Sequence, residues 1–497
     1  MQKNQFFRQG LVLTAVSFFM RVTNIFYRGY LARALGTAGL GLYQLIFTVF
    51  TLSVTLSTSG ISLAVTRIVA ARIAEHRRET VRSAVARCLG YCLCISCSIG
   101  AIFLLLAPFL AEKLLGTAQA APSLRLLALG LPFMSLCTCM RGYFLAVDEA
   151  PATIGGDVLE QLFTMGLGMV LLTFCAPQEP AAACTLAMAA STAGEILGFL
   201  HTWRGFRKSL RRHTPKNSRK SPGILRSMMH IALPGTLSSA ARNLLGTTEN
   251  LLIPRGLRQF GATFDTAIAA YGVLQGMALP MLMFPSAFLT AFSSLLIPQV
   301  AKAHAAGKSA YIHSIAHRAL AATAVFSSAA TAFFIFFGEE LGVVFYNSPE
   351  TGTYLRLLAP LVLLLYLDGV VDAILKGLDE QFSAFKYNVT DAALRVLLVF
   401  WLLPRYGLSA YICILFFSTI FNAALSLHRL LQVTQLKIDL IRDIVLPFLC
   451  AGAAGLAAKT LAAGLPAGRL PFLLEAGLCL GLNLLLLHIF LPKKACA

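Results

Sequence analysis

Long apolar stretches, each ended by a short group of charged, glycine or proline residues, follow one another along the whole chain. A helix of about 20 apolar residues is long enough to cross a bilayer. The pattern therefore predicts about fourteen membrane-spanning helices. Their predicted bounds, spans 1 to 14, are 8–33, 39–66, 83–110, 122–146, 152–175, 181–203, 228–254, 265–298, 313–337, 353–376, 383–403, 407–429, 442–462 and 470–490.

The composition excludes a soluble globular protein. Of the 497 residues, 57% are hydrophobic and 13% are charged, whereas about a quarter of the residues in a soluble domain are charged. The first apolar run begins like a signal peptide, with Lys3 and Arg8 before it, but continues to residue 33 without a clear small-residue cleavage site. We therefore expect an all-α integral membrane protein whose first helix is retained.

Basic residues are concentrated in alternate loops of this predicted topology. Of the 41 lysines and arginines, 27 fall on one side of the membrane and nine on the other. Because cytoplasmic loops carry the excess of positive charge, both termini are expected in the cytoplasm. The net charge of +19 then indicates contact with membrane lipids, and we expect no nucleic-acid partner.

The two halves of the chain repeat one another. Several matches share an offset of 231 residues, and one further pair matches at an offset of 232. The matches are Leu124–Ala128 with Leu355–Ala359, Asp148-Glu149 with Asp379-Glu380, Ser83 with Ser314, Arg87 with Arg318, and Ser62-Leu63 with Ser294-Leu295. Such agreement in register indicates an internal duplication.

Each repeat contains six predicted spans, so both repeats enter the membrane from the same side and are parallel. The predicted organisation is an N-terminal six-helix lobe at 1–203, a basic cytoplasmic linker at 204–226, a C-terminal six-helix lobe at 227–430, and two additional helices at 431–497. Parallel repeats are typical of two-lobed transporters, in which the substrate path lies between the lobes and opens alternately to each side.

Three polar residues form one stripe on the first predicted span. Arg21 and Arg28 are seven residues apart, which is two helical turns, and Asn24 lies between them. Arg242 is the counterpart of Arg21 in the second repeat. A guanidinium binds phosphate oxygens through two parallel N–H groups, so these residues predict a site for an anionic, phosphate-bearing substrate. The alternative is that each arginine pairs with an intramembrane carboxylate and serves packing alone.

Carboxylates in the later spans predict a second site. The candidate residues for sodium or proton coupling are Glu249, Asp368, Asp372, Asn388 and Asp391. Asp368 and Asp372 are one turn apart and repel, which favours a bound cation or a proton on one of them. The alternatives are pairing with Lys376 and Arg395, or exposure at the cytoplasmic edge.

Catalytic motifs are not evident. No Ser/His/Asp arrangement or phosphate-binding loop is present, so we expect no enzyme and no cofactor, and transport driven by an ion gradient, the membrane potential or the substrate gradient. His313 and His317 have the spacing of a zinc pair but lack a glutamate-rich context. Cysteines within apolar runs behave as small hydrophobic residues, so no metal site is expected.

The opening of the chain resembles a known family. The resemblance rests on Arg21–Gly36, Gly39–Gln44, Ser59–Ala64 and Arg67. These segments are similar to the stage V sporulation protein B group, in the polysaccharide-export and lipid-flippase branch of the multidrug/oligosaccharidyl-lipid/polysaccharide superfamily.

The resemblance implies two six-helix lobes, two extra C-terminal helices that form a groove for a lipid tail, and alternating access. It also implies flipping of an undecaprenyl-diphosphate-linked oligosaccharide or peptidoglycan precursor across the cell membrane of a bacterium. Arg21 matches a cavity arginine of the related flippases, and Arg28 lies one residue from the place of another. The sequence departs from them in having no arginine inside span 2 and in having Pro280 near the expected arginine of span 8.

Two other functions remain open from the sequence. A cation-coupled multidrug exporter of the same superfamily would use an acidic or aromatic cavity around Asp368, Asp372 or Glu249. A non-transporting membrane scaffold would bind cell-wall synthesis enzymes as partners and would tolerate neutralisation of the intramembrane charges.

Overall fold

The computed structural model describes residues 2–75, 77–177, 179–215, 223–436, 439, 441–462, 475, 477–479, 481–483 and 485–486. These residues form helices and turns, and no strand occurs among them. The α-helices are α1 Gln2–Thr58, α2 Ile61–Ala74, α3 Arg78–Phe109, α4 Ala121–Ala146, α5 Ile154–Cys175, α6 Pro180–His213, α7 Ile224–Phe260, α8 Phe264–Tyr271, α9 Leu279–Met283, α10 Ser286–Ala305, α11 Ser309–Tyr346, α12 Pro349–Gly377, α13 Gln381–Thr434 and α14 Leu446–Ala462.

The prediction of an all-α membrane protein is confirmed. Within the described ranges, nine helical stretches are long and apolar enough to cross a membrane. They cover predicted spans 1–6 and 8–12. Span 7 corresponds to the more polar α7 and span 13 to the shorter α14. Most of predicted span 14, at 470–490, lies outside the described residues, so the count of fourteen remains a prediction.

Two glycines separate consecutive spans that otherwise form one long helix. Gly36 divides α1 between predicted spans 1 and 2, with φ 69° and ψ 178°. Gly407 divides α13 between spans 11 and 12, with φ 62° and ψ −149°. Both conformations are open to glycine and costly for residues with a Cβ, so these two residues fix where the chain changes direction.

Predicted span 8 is not a single α-helix. It consists of α8, a π-helical segment at Gly272–Ala278, the short α9 and, after Pro285, α10. Pro280 lies just after the π-helical segment and has no N–H with which to continue regular α-helical bonding.

The backbone records the internal duplication. Residues outside regular helix that adopt positive φ recur at the 231-residue offset. The pairs are Gly116 (78°) with Asn347 (52°), Asp148 (58°) with Asp379 (64°), and Ala176 (36°) with Gly407 (62°). Because non-glycine residues rarely adopt positive φ, this agreement shows that the two repeats have equivalent turns as well as equivalent sequences.

The chain forms two compact units. Unit 1 contains Met1–Met20 and Ala34–Pro254, and unit 2 contains Arg21–Arg33 and Arg255–Ala497. The second half of predicted span 1 thus belongs to the unit that holds the second repeat, and most of α7 belongs to the unit that holds the first.

Each unit has its own apolar core. In unit 1, side chains of α2, α3, α4 and α6 pack around the fully buried Tyr143 and Phe206. In unit 2, side chains of α10, α11, α12 and α13 pack around Val300 and Val370. The linker predicted at 204–226 begins as the last turns of α6, which continues to His213.

Candidate functional site

The arginine stripe, defined as Arg21, Asn24 and Arg28, is held in unit 2 by close packing of α1 against the end of α11. A Cβ on Gly29 would lie 2.7 Å from the carbonyl oxygen of Phe345, so only glycine allows this approach. The rings of Phe26 and Phe345 are 5.8 Å apart. One turn further on, Arg33 donates a hydrogen bond to the carbonyl of Val344 at 2.6 Å.

Arg28 is oriented by two uncharged acceptors. Its Nε donates to Oδ1 of Asn24 at 3.1 Å, and its Nη1 donates to the carbonyl oxygen of Gly276 at 3.4 Å. In an α-helix the N–H four residues later would bond to that carbonyl, but residue 280 is proline and has none. Pro280, which stands near the expected arginine of span 8, therefore does not compete with Arg28 for this acceptor.

The charge of Arg28 is not cancelled by these contacts. Both hydrogen-bond acceptors are neutral, and the half-buried guanidinium is also close enough to interact electrostatically with the hydroxyl of Tyr346. That hydroxyl is buried without a hydrogen-bond partner in the described part of the chain. Arg21 and Asn24 are exposed on the same helix. Arg28, Asn24 and Tyr346 therefore offer a cation, an amide and a hydroxyl near one place.

Arg242 belongs to unit 1, where it is exposed on α7. The neighbouring Asn243 donates to the hydroxyl of Thr55, and Thr236 donates to the carbonyl of Ser59 at 2.6 Å. These contacts fix α7 against the second half of α1 within unit 1. Convergence of Arg242 with the arginine stripe on one substrate remains a prediction.

Four polar side chains of unit 2 form a continuous hydrogen-bonded chain, here called the carboxylate cluster: Asp368 and Asp372 on α12, and Asn388 and Asn422 on α13. Asn422 donates to Oδ2 of Asp368 at 2.9 Å and to Oδ1 of Asn388 at 3.3 Å. Asn388 donates in turn to Oδ2 of Asp372 at 3.4 Å. The two amides thus connect the two carboxylates.

The carboxylate cluster has more acceptors than donors. Oδ1 of Asp368, Oδ1 of Asp372 and Oδ1 of Asn422 are buried and form no hydrogen bond of ordinary geometry among the described residues, although the Ser426 hydroxyl lies near Asp368. The ion pair with Lys376, weighed above as an alternative, is present at 3.7 Å but reaches only Oδ2 of Asp372. Buried oxygens of this kind normally have a partner, and a cation or a proton would supply one.

The remaining predicted coupling residues, Asp391 and Glu249, are not part of this hydrogen-bonded chain. Asp391 is buried and accepts a hydrogen bond from Ser418 at 2.6 Å. Glu249 is buried in unit 1, on α7. Their share in ion coupling stays a prediction.

An apolar pocket of about 230 Å³ adjoins the carboxylate cluster in unit 2. Asp368 and His317 line it, and the rest of its surface comes from aliphatic side chains of α11, α12 and α13. Asp368 therefore faces both the hydrogen-bonded chain and an apolar space.

Sequence reasoning missed two members of these sites. Asn422 is a polar residue inside apolar span 12, and the same test that selected Asn388 would have found it. The Gly276 carbonyl carries no sequence signal of its own, although the proline four residues later indicates a carbonyl without its usual donor.

Known proteins are similar to this chain over most of its length. The family model described as polysaccharide biosynthesis protein matches residues 6–304. Stage V sporulation protein B of Bacillus subtilis (strain 168) is 25% identical over 409 residues, which is 82% of this chain and 79% of that protein.

Two solved structures show the same fold. The lipid II flippase MurJ in an inward closed conformation matches with a TM-score of 0.71 and 13% identity, over 96% of this chain and 98% of that one. An inward-facing multidrug resistance MATE family transporter of the MOP superfamily matches with a TM-score of 0.65 and 14% identity, over 86% and 100%. The resemblance found in the opening residues is thereby confirmed.

Proposed function

The chain belongs to the polysaccharide biosynthesis protein family, and from this premise we propose that it is a lipid flippase. Its substrate is an undecaprenyl-diphosphate-linked oligosaccharide or peptidoglycan precursor, which it moves across the cytoplasmic membrane by alternating access. Arg21, Asn24, Arg28 and Arg242 bind the diphosphate. The protein is not an enzyme in this proposal and needs no cofactor.

The surroundings of Arg28 support the proposal most directly. A charged group within a membrane span is costly unless it meets a partner or a cavity. In the described residues Arg28 is oriented by neutral acceptors and keeps its positive charge for a ligand. A diphosphate supplies oxygens that match the planar guanidinium and carries the opposite charge.

We propose that the carboxylate cluster couples transport to sodium ions or protons. Three buried oxygens without donors favour a hard cation, which prefers oxygen ligands, or protonation of one carboxylate. Ion release to one side of the membrane would then drive the conformational cycle. Asp391 and Glu249 are assigned to the same task by the sequence pattern alone.

The proposed location is the cell membrane, with both termini in the cytoplasm because the basic loops favour that side. Membrane lipids surround the helices, and enzymes of cell-wall synthesis are proposed partners, since they would supply and use the lipid-linked substrate. Nucleic acid is not a partner in this proposal.

The test is native mass spectrometry of the purified protein with a short-chain polyprenyl-diphosphate sugar. The corresponding monophosphate sugar and the uncharged polyprenol serve as comparison ligands. We expect the diphosphate to bind most tightly and Arg28→Gln to weaken it at least about tenfold, the loss of a charge-assisted hydrogen-bond pair. Arg125→Gln is the control, because Arg125 is an exposed arginine of unit 1 that has no part in holding the arginine stripe.

Flipping in proteoliposomes provides the second readout. Arg21→Ala is expected to abolish flipping while leaving expression and the helical circular dichroism spectrum unchanged. If the three lipids bind equally, or if both arginine variants bind and flip like the wild type, the diphosphate site is wrong. No flipping by the wild type, together with normal function in the cell after neutralisation of all intramembrane charges, would favour the scaffold.

A second function is favoured by one observation, the apolar pocket beside Asp368. An apolar space with a carboxylate at its edge suits a lipophilic cation, the substrate class of a multidrug exporter. Binding of a cationic dye that is lost in Asp368→Asn, together with no binding of the diphosphate lipid, would establish this function in place of the flippase.

A further inference from the structure

A second pocket, unrelated to the sites above, lies in unit 1 between the beginning of α3 and the end of α6. Its volume is about 400 Å³. Arg82 from α3 and Arg207 and Arg211 from α6 line it, so three guanidiniums face one space. We call it the arginine pocket. These helix ends adjoin the most basic segments of the sequence, which the distribution of charge places at the cytoplasmic surface.

The other wall of the arginine pocket is aromatic and firmly held. Phe206 is buried and meets the ring of Tyr143 edge-on at 5.1 Å. The ring centres of Trp203 and Phe206 are 5.6 Å apart. The guanidinium of Arg207 lies 5.1 Å from the centre of the Trp203 ring, a cation–π contact that orients the charge without cancelling it. The pocket is therefore amphipathic, with a packed aromatic wall opposite the charged one.

The positive charge of the arginine pocket is not balanced by the protein. In the described part of the chain, Arg82, Arg207 and Arg211 form no ion pair. Like charges held around one space repel each other at distances where screening by salt is incomplete. An anion bound among them removes this repulsion, so the pocket is complementary to a negatively charged group.

The apolar wall decides which anion fits. A free phosphate would use the three guanidiniums and leave the aromatic and aliphatic surface in contact with water. A phospholipid places its phosphate at the depth of the headgroups and its chains beside the apolar wall. Trp is also favoured at this interface, because one end of the indole is apolar and the other is polar.

We propose that the arginine pocket binds the phosphate of an anionic phospholipid, such as phosphatidylglycerol, whose first chain carbons lie against Trp203. The site belongs to the surface of one unit and does not depend on what the protein transports. It holds one lipid at a fixed place, in contrast to the diffuse attraction of basic loops for an anionic leaflet.

Trp203 provides the test, because the chain has only two tryptophans, Trp203 and Trp401. Full-length Trp401→Phe protein is reconstituted in phosphatidylcholine vesicles that contain a minor fraction of phosphatidylglycerol. Either the phosphatidylglycerol or an equal amount of phosphatidylcholine carries brominated chains, which quench nearby tryptophan. We expect brominated phosphatidylglycerol to quench Trp203 more strongly than brominated phosphatidylcholine. Trp401, observed alone in Trp203→Phe, is expected to be quenched equally by both.

Substitutions then assign the effect to the pocket. Arg82→Gln removes a guanidinium other than the one in cation–π contact with Trp203, and it is expected to lower the excess quenching about fivefold. Lys208→Gln is the matched control, an exposed basic residue beside Arg207 that does not line the pocket, and it is expected to keep the excess.

Results of two kinds would overturn the proposal. The first is equal quenching of Trp203 by the two brominated lipids, or an excess that Arg82→Gln leaves unchanged. The second concerns inorganic phosphate added to pure phosphatidylcholine vesicles. If phosphate alters Trp203 emission in an Arg82-dependent way while brominated phosphatidylglycerol gives no excess quenching, the pocket is a site for free phosphate and the lipid assignment is wrong.

Discussion

Arg141 donates a hydrogen bond to Asp157 at 2.7 Å, forming an ion pair between α4 and α5. The residues 231 positions later are Asp372 and Asn388, which are also hydrogen-bonded to each other. The duplicated chain thus keeps a polar contact at the same point of each repeat but changes its charge. At this point the first repeat places an arginine against its carboxylate. In the second repeat the carboxylate faces an amide, its ion pair with Lys376 is longer at 3.7 Å, and its other oxygen is left for an external ion.

The ion pair of the first repeat is expected to stabilise the fold without taking part in ion coupling. Arg141→Gln and Asp157→Asn should each lower the thermal midpoint of unfolding. The double variant should lose less than the sum of the two, because either single change already removes the ion pair. A double-mutant cycle in detergent measures this. Additive losses would show that the two side chains do not interact.

The carboxylate cluster is expected to make stability depend on cations. An ion that binds only the folded protein raises the thermal midpoint of unfolding. Sodium chloride should therefore stabilise the wild type more than choline chloride does. Asp368→Asn and Asp372→Asn should abolish the difference. Glu350→Gln, an exposed position in the first turn of the same helix, should keep it.

If the coupling ion is a proton, the same two aspartate variants should instead remove a dependence of the thermal midpoint on pH in sodium-free buffer. Wild type and variants that respond identically to sodium and to pH would contradict ion binding at this cluster.

Gly29 is expected to be intolerant of a methyl group. Its Cβ would meet the Phe345 carbonyl at 2.7 Å, so Gly29→Ala should destabilise unit 2 by about 1–3 kcal/mol, the usual range for overpacking. It should also weaken diphosphate binding, because Arg28 is the adjacent residue. Gly246→Ala is the control, since no heavy atom lies within 4 Å of its Cβ position. Equal melting of the two variants would contradict the close packing.

Glu380 is expected to give the fold an acid-sensitive contact outside the membrane spans. Its carboxylate accepts hydrogen bonds from Arg429 at 2.6 and 3.1 Å and from Ser383 at 2.6 Å. The bonds from Arg429, followed by the one from Ser383, hold the pKa of Glu380 below its ordinary value. A lowered folded pKa means that stability is fully present above the unfolded value of about 4.3 and is lost as pH falls through the folded one.

The measurement is the difference in thermal midpoint between the wild type and Glu380→Gln. It should be largest near neutral pH and vanish in acid, and Arg429→Gln should remove most of it at neutral pH. A difference that grows as the pH falls would contradict this sign.

The sequence predicted the parts of the fold that depend on apolar run length and on glycine. Gly36 and Gly407 break the long helices where the pattern placed the ends of spans, because both need positive φ. The offset of 231 residues reappears in the backbone angles of Asp148 and Asp379. Periodicity was less informative around Pro280, where a π-helical segment shifts the winding.

The candidate sites were predictable by residue type but not by contact. Charged residues inside apolar spans selected Arg28, Asp368 and Asp372, since such residues are rare there. The sequence could not show that Asn422 connects the two aspartates, because the connection depends on how α12 and α13 pack. It also could not assign residues 21–33 to unit 2, which follows from contacts with α11.

Pro280 affects which group donates a hydrogen bond to the Gly276 carbonyl. Another residue there would bring an amide N–H, and in regular α-helical winding that N–H would compete with Arg28 for this oxygen. Pro280 replaces an arginine expected in span 8, and it thus affects a different arginine, Arg28, whose guanidinium bonds to the nearby carbonyl. One of the two contacts that orient Arg28 consequently depends on an imino acid some 250 residues away along the chain.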